Sequence, residues 1–271
     1  MIARDPVRHM NAVWKEPWNS SFYGTHNRLG KLFNYTPFIG THYAGVKHFT
    51  FPVRDDLSDA LDRLLLDQNN NTTTTNDTTT KDGDETSMYV DRTRPTDVAN
   101  FWEANMTSKS AMANLRAGVS KVVDDFALRY PNYSVHSGIV GWRSKRGRSR
   151  VHPDYAKLLL ESKIIVTAQR DFFEDHWRLF EGLISGALVF SDPMLDLPTG
   201  LKHGKNIVIY TSLEDLQHKL LYYLEHKEER LEIARRGREI AMKKHRRWHR
   251  WETLILADWN KRNDYGLSIL D

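Results

Sequence analysis

The stretch that decides the fold is DHWRLFEGLISGALVFSDPM, which runs from Asp175 to Met194. Its first half predicts an amphipathic helix that begins after Asp175 as N-cap and ends at Gly186. Its second half, ALVFSD, is a short apolar run before a proline, which is typical of a buried strand. A helix that leads directly into a buried strand indicates a βαβ unit, so we expect a parallel sheet covered by helices.

The rest of the C-terminal part repeats this alternation. Apolar residues at helical spacing predict helices at about 109–130, after Pro153, and after a capping box formed by Ser212 and Asp215. A last helix is predicted to hold WHRWETLILADW. Strands are predicted in four further stretches, namely 87–91, 133–142, 163–168 and 206–210. Together these elements predict an α/β fold with a doubly wound, Rossmann-like parallel sheet.

The N-terminal part is short. A strand at 48–53 and a helix that starts at Asp55 or Asp56 make about one βα unit, too small for a complete nucleotide-binding fold. The stretch DQNNNTTTTNDTTTKDGDET that follows has nothing to bury and is predicted to be a disordered insertion. We therefore divide the chain into residues 1–66, the insertion at 67–86, and residues 87–271.

The bulk composition excludes several classes of protein. The chain has 271 residues, no cysteine, 40% hydrophobic residues and a formal net charge of +4. The missing cysteines exclude a disulfide framework, a thiolate metal site and a cysteine nucleophile. No apolar run approaches the roughly 18 residues of a membrane helix. The mild positive charge suits an anionic ligand.

Basic residues gather in three loops that follow predicted strands. Because ligands of a doubly wound sheet bind beyond the carboxyl ends of the strands, these loops are expected to share one rim, and a diphosphate would suit it. A mobile, solvated loop is the alternative reading of the first one. The residues are Arg143, Lys145, Arg146, Arg148 and Arg150 in the first loop, Arg170 in the second, and Lys202 and His203 in the third.

Arg178 and Glu181 lie one turn apart on the helix of the opening stretch. Arg178 is expected in the first turn, where free backbone N–H groups favour an anion and where its planar fork matches a phosphate. Glu181 can accept two hydrogen bonds from a ribose diol. The alternative is an ordinary surface ion pair, which stabilises a helix by only a few tenths of a kcal/mol.

The segment from Tyr155 to Trp251 resembles the C-terminal domain of GT-B glycosyltransferases. It is nearest to the CgeB-like, group 1 type and is also similar to the exostosin type. An arginine, a glutamate three residues on, a glycine and an apolar strand carry the resemblance, followed by HGKNIVIY and a helix of the form EERLEIARRG. The matching residues are Arg178, Glu181, Gly186, His203, Gly204, Tyr210, Arg230, Ile233, Ala234, Gly237 and His245.

The resemblance implies transfer of a sugar from a nucleotide-sugar donor to an acceptor hydroxyl, without a bound metal or cofactor. It implies that Glu181 binds the donor ribose and that Arg178 lies near the diphosphate, and we add Arg143, Arg170 and His203 to the donor site. Residues 87–271 would bind the nucleotide sugar and residues 1–66 would face the acceptor, which could be a glycan, a protein or a small molecule.

The catalytic base is not identified by the sequence. His26, His42 and Asp192 qualify only by residue type. Glu174 lies one residue too close to Glu181 for the paired glutamates of many GT-B members, so it receives no role. Asp82 and Asp84 form an acidic triplet with Gly83, but inside the predicted insertion.

Other functions stay open at this stage. The chain could be an inactive GT-B-like scaffold or partner subunit, or another enzyme of this fold such as a sugar-nucleotide epimerase. KKHRRWHRW, residues 243–251, has the basic and aromatic character of a nucleic-acid contact, but its spacing favours a helix that packs Trp248 and Trp251 inward. We therefore expect no nucleic-acid partner.

The compartment also stays open. Asn-x-Ser/Thr sequons start at Asn19, Asn34, Asn70, Asn71, Asn76, Asn105 and Asn132. We expect a Golgi or secretory lumen if an upstream anchor precedes the sequence, and the cytoplasm otherwise.

Overall fold

The computed structural model describes residues 53–72, 85–102, 111–140, 151–168, 177–194 and 197–252. The basic loop at 143–150, Arg170, Asp175 and most of the strand predicted at 48–53 lie outside these ranges. The helices are α1 Asp55–Thr72, α2 Glu85–Val90, α3 Ala111–Arg129, α4 Pro153–Glu161, α5 Trp177–Ile184, α6 Leu213–Glu225, α7 Lys227–Lys244 and α8 Arg247–Glu252.

Five strands form one parallel sheet in the order β2-β1-β3-β4-β5. They are β1 Thr96–Asn100, β2 Val135–Ser137, β3 Ser162–Val166, β4 Leu188–Ser191 and β5 Val208–Ile209. The predicted α/β fold with a Rossmann-like parallel sheet is confirmed. The strand order reverses between β1 and β3, so the crevice beyond their carboxyl ends is where this topology binds ligands.

The sequence analysis missed β1 and placed a strand wrongly at 87–91. All five residues of β1, TDVAN, are buried although three of them are polar. Asp97 is tolerated because it pairs with Lys163 at 2.5 Å and accepts the Ser134 N–H at 2.7 Å. Residues 87–90 of that stretch belong to α2 instead, because so short an apolar run cannot be told from a buried helical segment by its pattern alone.

Local signals for helix ends are confirmed where the structure describes them. The His152 side chain caps α4 just before Pro153, and the Ser212 hydroxyl accepts the Asp215 N–H at 3.0 Å. Gly186 follows α5 with a φ of 74°, the left-handed conformation that glycine adopts readily at this position. Trp248 is 54% exposed, so its predicted inward packing is wrong; the Arg246 guanidinium lies 4.6 Å from the centre of its ring.

Helix α1 extends to Thr72, six residues past the domain boundary predicted at 66. Leu57 on its apolar face and Val53, which precedes the helix, join the same buried cluster as Val98 of β1 and Ile164 of β3. It packs against α4, which in turn contacts β1 and β3. The division at 66 and 86 stays a prediction, but the start of α1 shares its core with the sheet.

The buried guanidinium of Arg94, just before β1, joins the ends of several elements. It donates hydrogen bonds to the carbonyl oxygens of Leu160 at the end of α4, Ser162 at the start of β3 and Ser185 just after α5, at 2.7–2.8 Å. It also donates to the Tyr89 oxygen in α2 at 2.6 Å. The last carbonyls of a helix lack partners within the helix, so a cation placed there stabilises all three helix ends.

We expect Gly237→Ala in α7 to destabilise the protein by about 1–3 kcal/mol through overpacking, despite the higher helix propensity of alanine. An added Cβ would lie 2.7 Å from the backbone oxygen of Asn206 and 2.9 Å from Leu183 Cδ2. Urea unfolding at pH 7 measures the change. Gly118→Ala in α3 is the matched control, since its Cβ would meet only the flexible Leu213 side chain, at 3.2 Å. Equal effects of both substitutions would contradict the close packing of α7.

Candidate functional site

Glu181 sits in the second turn of α5 and is 1% exposed. Its Oε1 accepts a hydrogen bond from Arg54 Nη1 at 3.1 Å, and its Oε2 accepts one from the Tyr155 hydroxyl at 2.5 Å. A buried carboxylate is costly unless paired, and both oxygens here have partners. The alternative of a surface pair with Arg178 is therefore excluded for Glu181.

Arg54 connects the start of α1 to this carboxylate. Its Nε and Nη2 bind Asp56 at 3.1 and 2.6 Å, while Nη1 reaches Glu181. Burial acts to lower the pKa of Arg54, but the hydrogen bond to Asp56 and the charge of Glu181 outweigh it and raise the pKa. The sequence analysis missed Arg54, because Arg54 and Glu181 are 127 positions apart and no local pattern relates them.

Tyr155 of α4 brings this buried pair next to the loop that follows β1. Its ring packs edge-on against Phe101, with centroids 4.9 Å apart and an interplanar angle of 70°. Phe101 follows directly after the last residue of β1. The Glu181 carboxylate is thus linked, through one side chain, to the crevice between β1 and β3.

Two guanidinium groups lie over Trp102 at the carboxyl edge of the sheet. The Arg116 guanidinium carbon is 4.4 Å from the centre of the indole, and that of Arg178 is 5.9 Å from it. Arg116 also donates two hydrogen bonds, at 2.8 and 3.2 Å, to the carbonyl of Ala168 beyond β3. The three side chains place two positive charges and an aromatic ring at the point where the strand order reverses.

Hydrogen bonds from β1 and α3 hold Trp102 in this position. Asn100, the last residue of β1, donates to the Ser120 hydroxyl at 2.7 Å. That hydroxyl lies 3.1 Å from the carbonyl oxygens of both Trp102 and Arg116. The loop after β1 is therefore fastened to α3. Trp102 and Arg116 were not predicted as site residues, since β1 itself was not recognised.

The other predicted donor-site residues are not gathered around Trp102. Arg143 and Arg170 lie outside the described residues. His203 is exposed, beside the edge strand β5, and its Nδ1 accepts the N–H of Ile209 at 3.0 Å. Among the described residues, His203 forms no hydrogen bond or ion pair with Arg178 or Glu181. Its place in the donor site stays a prediction.

Asp192 is the only acid–base candidate from the sequence that falls within the described ranges. It is 1% exposed and follows the last residue of β4, at the carboxyl edge of the sheet. Its Oδ1 lies 3.5 Å from the Ser191 hydroxyl. His26 and His42 lie outside the described residues, and the catalytic base stays unassigned.

Some residues that carry the resemblance to GT-B glycosyltransferases make contacts within the fold. Arg230 Nη1 donates to the carbonyls of Tyr223 and Leu224 at the end of α6, at 2.7 and 3.0 Å. The His245 ring lies 4.5 Å from the ring of Phe180, and its Nε2 is 2.8 Å from the carbonyl of Thr199. This part of the pattern therefore corresponds to packing around α7.

The described residues form neither a metal-binding group nor a membrane-spanning helix. In that part of the chain, no three His, Asp or Glu side chains are grouped so that they could hold a metal ion. None of its helices is both long and apolar enough to cross a membrane.

Comparison with protein families identifies one match. Residues 116–255, just over half of the chain, match the profile of a family described as glycosyl transferase-like. The match includes Arg116, Arg178 and Glu181 and ends a few residues beyond α8. No curated protein matches the chain.

Solved structures show a distant likeness. TarM is 14% identical over 62% of this chain and 36% of its own length, with a TM-score of 0.45. The C-terminal domain of LpcC, a glycosyl transferase group 1 family protein from Francisella tularensis, is 11% identical over 62% of this chain and 94% of its own, with a TM-score of 0.42. HepE from Anabaena, solved in complex with UDP, is 11% identical over 80% and 56%, with a TM-score of 0.38. The chain thus spans only about a third of TarM and about half of HepE.

We expect Glu181→Ala to lower the free energy of unfolding by about 3 kcal/mol, because it leaves Arg54 buried with one of its two carboxylate partners removed. Tyr155→Phe, which removes one hydrogen bond to a charged acceptor, should cost about 1.5 kcal/mol. Urea unfolding at pH 7 measures both. Glu214→Ala, an exposed glutamate in the first turn of α6, is the control. A cost for Glu181→Ala no larger than that of the control would contradict the buried pair.

His203 should make the protein less stable in acid. Partial burial of the ring, and then the nearby charge of Lys219, lower the pKa of His203, so the unfolded chain takes up its proton before the folded one as the pH falls. Stability from this group is complete above its unfolded pKa of about 6.5 and falls as the pH drops below it. His203→Asn keeps an acceptor near Ile209 that does not titrate. We therefore expect the urea concentration at the midpoint of unfolding to fall less in this variant between pH 7 and pH 5 than in the wild type. An equal loss in both proteins would contradict this role of the imidazole.

Proposed function

The chain belongs to the glycosyl transferase-like family, and we propose that it transfers a sugar from a nucleotide-sugar donor to an acceptor hydroxyl. The donor diphosphate would bind at the carboxyl edge of β1 and β3, beside Trp102. From the sequence pattern we assign the chain to the CgeB-like, group 1 type, close to the exostosin type. The acceptor would bind on the side of residues 1–66.

One observation supports this proposal most strongly: the guanidinium groups of Arg116 and Arg178 both lie over Trp102 at the crevice between β1 and β3. Arg178 is also the second residue of α5, so its charge adds to that of the free N–H groups at the start of this helix. Positive groups held in place before the reaction stabilise the charge that develops on a departing diphosphate.

Such charges can take over the part that a divalent ion plays in other transferases, so we propose a metal-independent reaction. Arg143, Arg170 and His203 would complete the donor site. Because the Nδ1 of His203 already accepts the Ile209 N–H, the neutral ring carries its proton on Nε2 and would donate from there.

Glu181 would bind the donor ribose by exchange of a partner. Each oxygen of this carboxylate accepts a hydrogen bond, one from Arg54 and the other from Tyr155. Tyr155 is only partly buried, so we propose that its hydroxyl yields to a ribose hydroxyl when the donor binds. The charge of Arg54 would keep the carboxylate ionised throughout.

A second candidate is a GT-B-like scaffold or partner subunit without transferase activity. It is favoured by the same carboxylate, because Glu181 is already paired on both oxygens and almost fully buried. In that case Glu181 would only join α1, α4 and α5.

The test is a thermal-shift and turnover series with UDP, GDP, CDP and their common sugar conjugates, with and without magnesium. A nucleotide at 100 times its dissociation constant should stabilise the protein by roughly 2.7 kcal/mol. We expect one nucleotide to act selectively, and Arg178→Gln and Arg116→Gln to remove the shift. Arg236→Gln, which changes an exposed arginine on α7 paired with Glu232, should leave the shift unchanged.

Turnover separates the two candidates. Release of free nucleotide from the selected sugar conjugate, with or without an added acceptor, supports transfer. Selective binding without release supports the scaffold. The absence of any nucleotide-dependent shift in a folded sample would contradict the proposed donor site at the Trp102 crevice and favour the scaffold.

A further inference from the structure

A second cavity opens at the amino-terminal edge of the sheet, opposite the Trp102 crevice. It has a volume of about 530 Å³, within the roughly 300–1,000 Å³ usual for ligand sites. Its wall includes Arg94, which precedes β1, Lys163 near the start of β3, and Gly186, which precedes β4. The start of α7 forms the other side.

The charge of this wall is strongly unbalanced. Five cationic side chains line the cavity, against the two carboxylates of Asp91 and Glu228, which leaves a net charge of three positive units. Two ion pairs join residues of the wall to residues outside it, namely Lys163 with Asp97 and Asp91 with Arg235. Counting both outside partners adds one negative and one positive charge, so the net charge stays the same. The cations are Arg92, Arg94, Lys163, Lys227 and Arg230.

Arg230 supplies hydrogen-bond donors to the cavity. The residue is 6% exposed, and only its Nη1 is used, for the carbonyls of Tyr223 and Leu224. Within the described part of the chain, its Nε and Nη2 have no hydrogen-bond partner. These two nitrogens are not sealed from solvent, so an oxyanion in the cavity could accept from both in the usual forked geometry.

The guanidinium groups around the cavity also repel one another. Burial, followed by the charges of Arg92, Arg230 and Arg238, lowers the pKa of Arg94 to about 9, so the group is still charged at pH 7. An anion between these groups would offset that repulsion. The first turn of α7, with Lys227 and Glu228 on the wall, adds the positive end of a helix of 18 residues.

We propose that this cavity is a second anion site, which binds a soluble small molecule that carries phosphate, and that it is separate from the donor site. A positive excess of three calls for more than one negative charge, as in a diphosphate. The cavity lies at the opposite edge of the sheet from Arg178 and Trp102, so the ligand would act on the protein apart from the donor. Since Arg94 and Gly186 of the wall adjoin the end of α5, occupancy would stiffen the helix that carries Arg178.

Calorimetric titration with inorganic pyrophosphate at constant ionic strength tests the site in the full chain. We expect Arg230→Gln to weaken binding at least about tenfold, since it removes charge-assisted hydrogen bonds. Lys227→Gln, at an exposed position where folding is not at risk, should weaken it about threefold. Lys243→Gln makes the same charge change in the last turn of α7 and should have no effect.

Three results would overturn the proposal: no pyrophosphate binding by the wild type, equal weakening by Lys243→Gln, or binding that is lost only in Arg178→Gln. The last result would assign the pyrophosphate to the donor site. If Arg230→Gln fails to fold, the double variant Arg92→Gln, Lys227→Gln decides, and unchanged binding in that protein rejects the site. The thermal shift with nucleotide is also measured in Lys227→Gln. If it persists there, the proposed function stands whether or not the second anion site is rejected.

Discussion

The buried guanidinium of Arg94 is the constraint on which the rest of the structure depends. It binds carbonyl oxygens at the ends of α2, α4 and α5 and at the start of β3, so one side chain fixes where three helices stop relative to the sheet. Helix ends leave carbonyls without partners, and a buried arginine has enough donors for several of them. With the end of α5 held there, the start of that helix, with Arg178, points to the carboxyl edge.

A second buried charge acts within the same helix. Glu181 accepts hydrogen bonds from Arg54 at the start of α1 and from Tyr155 of α4. The packing of these two elements on α5 is therefore specified by hydrogen bonds as well as by apolar contacts. Such a pair adds little net stability relative to apolar residues, but loss of either member leaves a buried charge unpaired. The result is a defined arrangement of α1, α4 and α5 next to the crevice between β1 and β3.

Positive charge thus lies at both edges of the sheet, in two different environments. At the carboxyl edge, Arg116 and Arg178 are held against an indole ring, in the crevice where a parallel sheet of this order binds ligands. At the amino edge, Arg94 and Arg230 bind backbone carbonyls and line a cavity of about 530 Å³. Arginine serves both edges because it stays charged when buried and can donate in several directions.

The sequence by itself determined the elements that local patterns specify. The helix of residues 177–184, the strand after it and the left-handed Gly186 could be predicted, as could the helix starts at Pro153 and after Ser212. Apolar period, capping residues, proline and glycine all act over a few positions. The placement of Arg178 in the first turn of α5 follows from the same local rules. They also predicted the parallel sheet, since helices alternate with strands.

Only the tertiary structure decided what these residues meet. Strand β1 was missed because Thr96, Asp97 and Asn100 are polar. Asp97 is satisfied by Lys163 and Ser134, and Asn100 by Ser120, all from elsewhere in the chain. Arg54 pairs with Glu181 across 127 positions, and Arg116 reaches Trp102 only once α3 lies along β1. Buried polar groups need partners, and the chain brings those partners from distant positions that no local pattern relates.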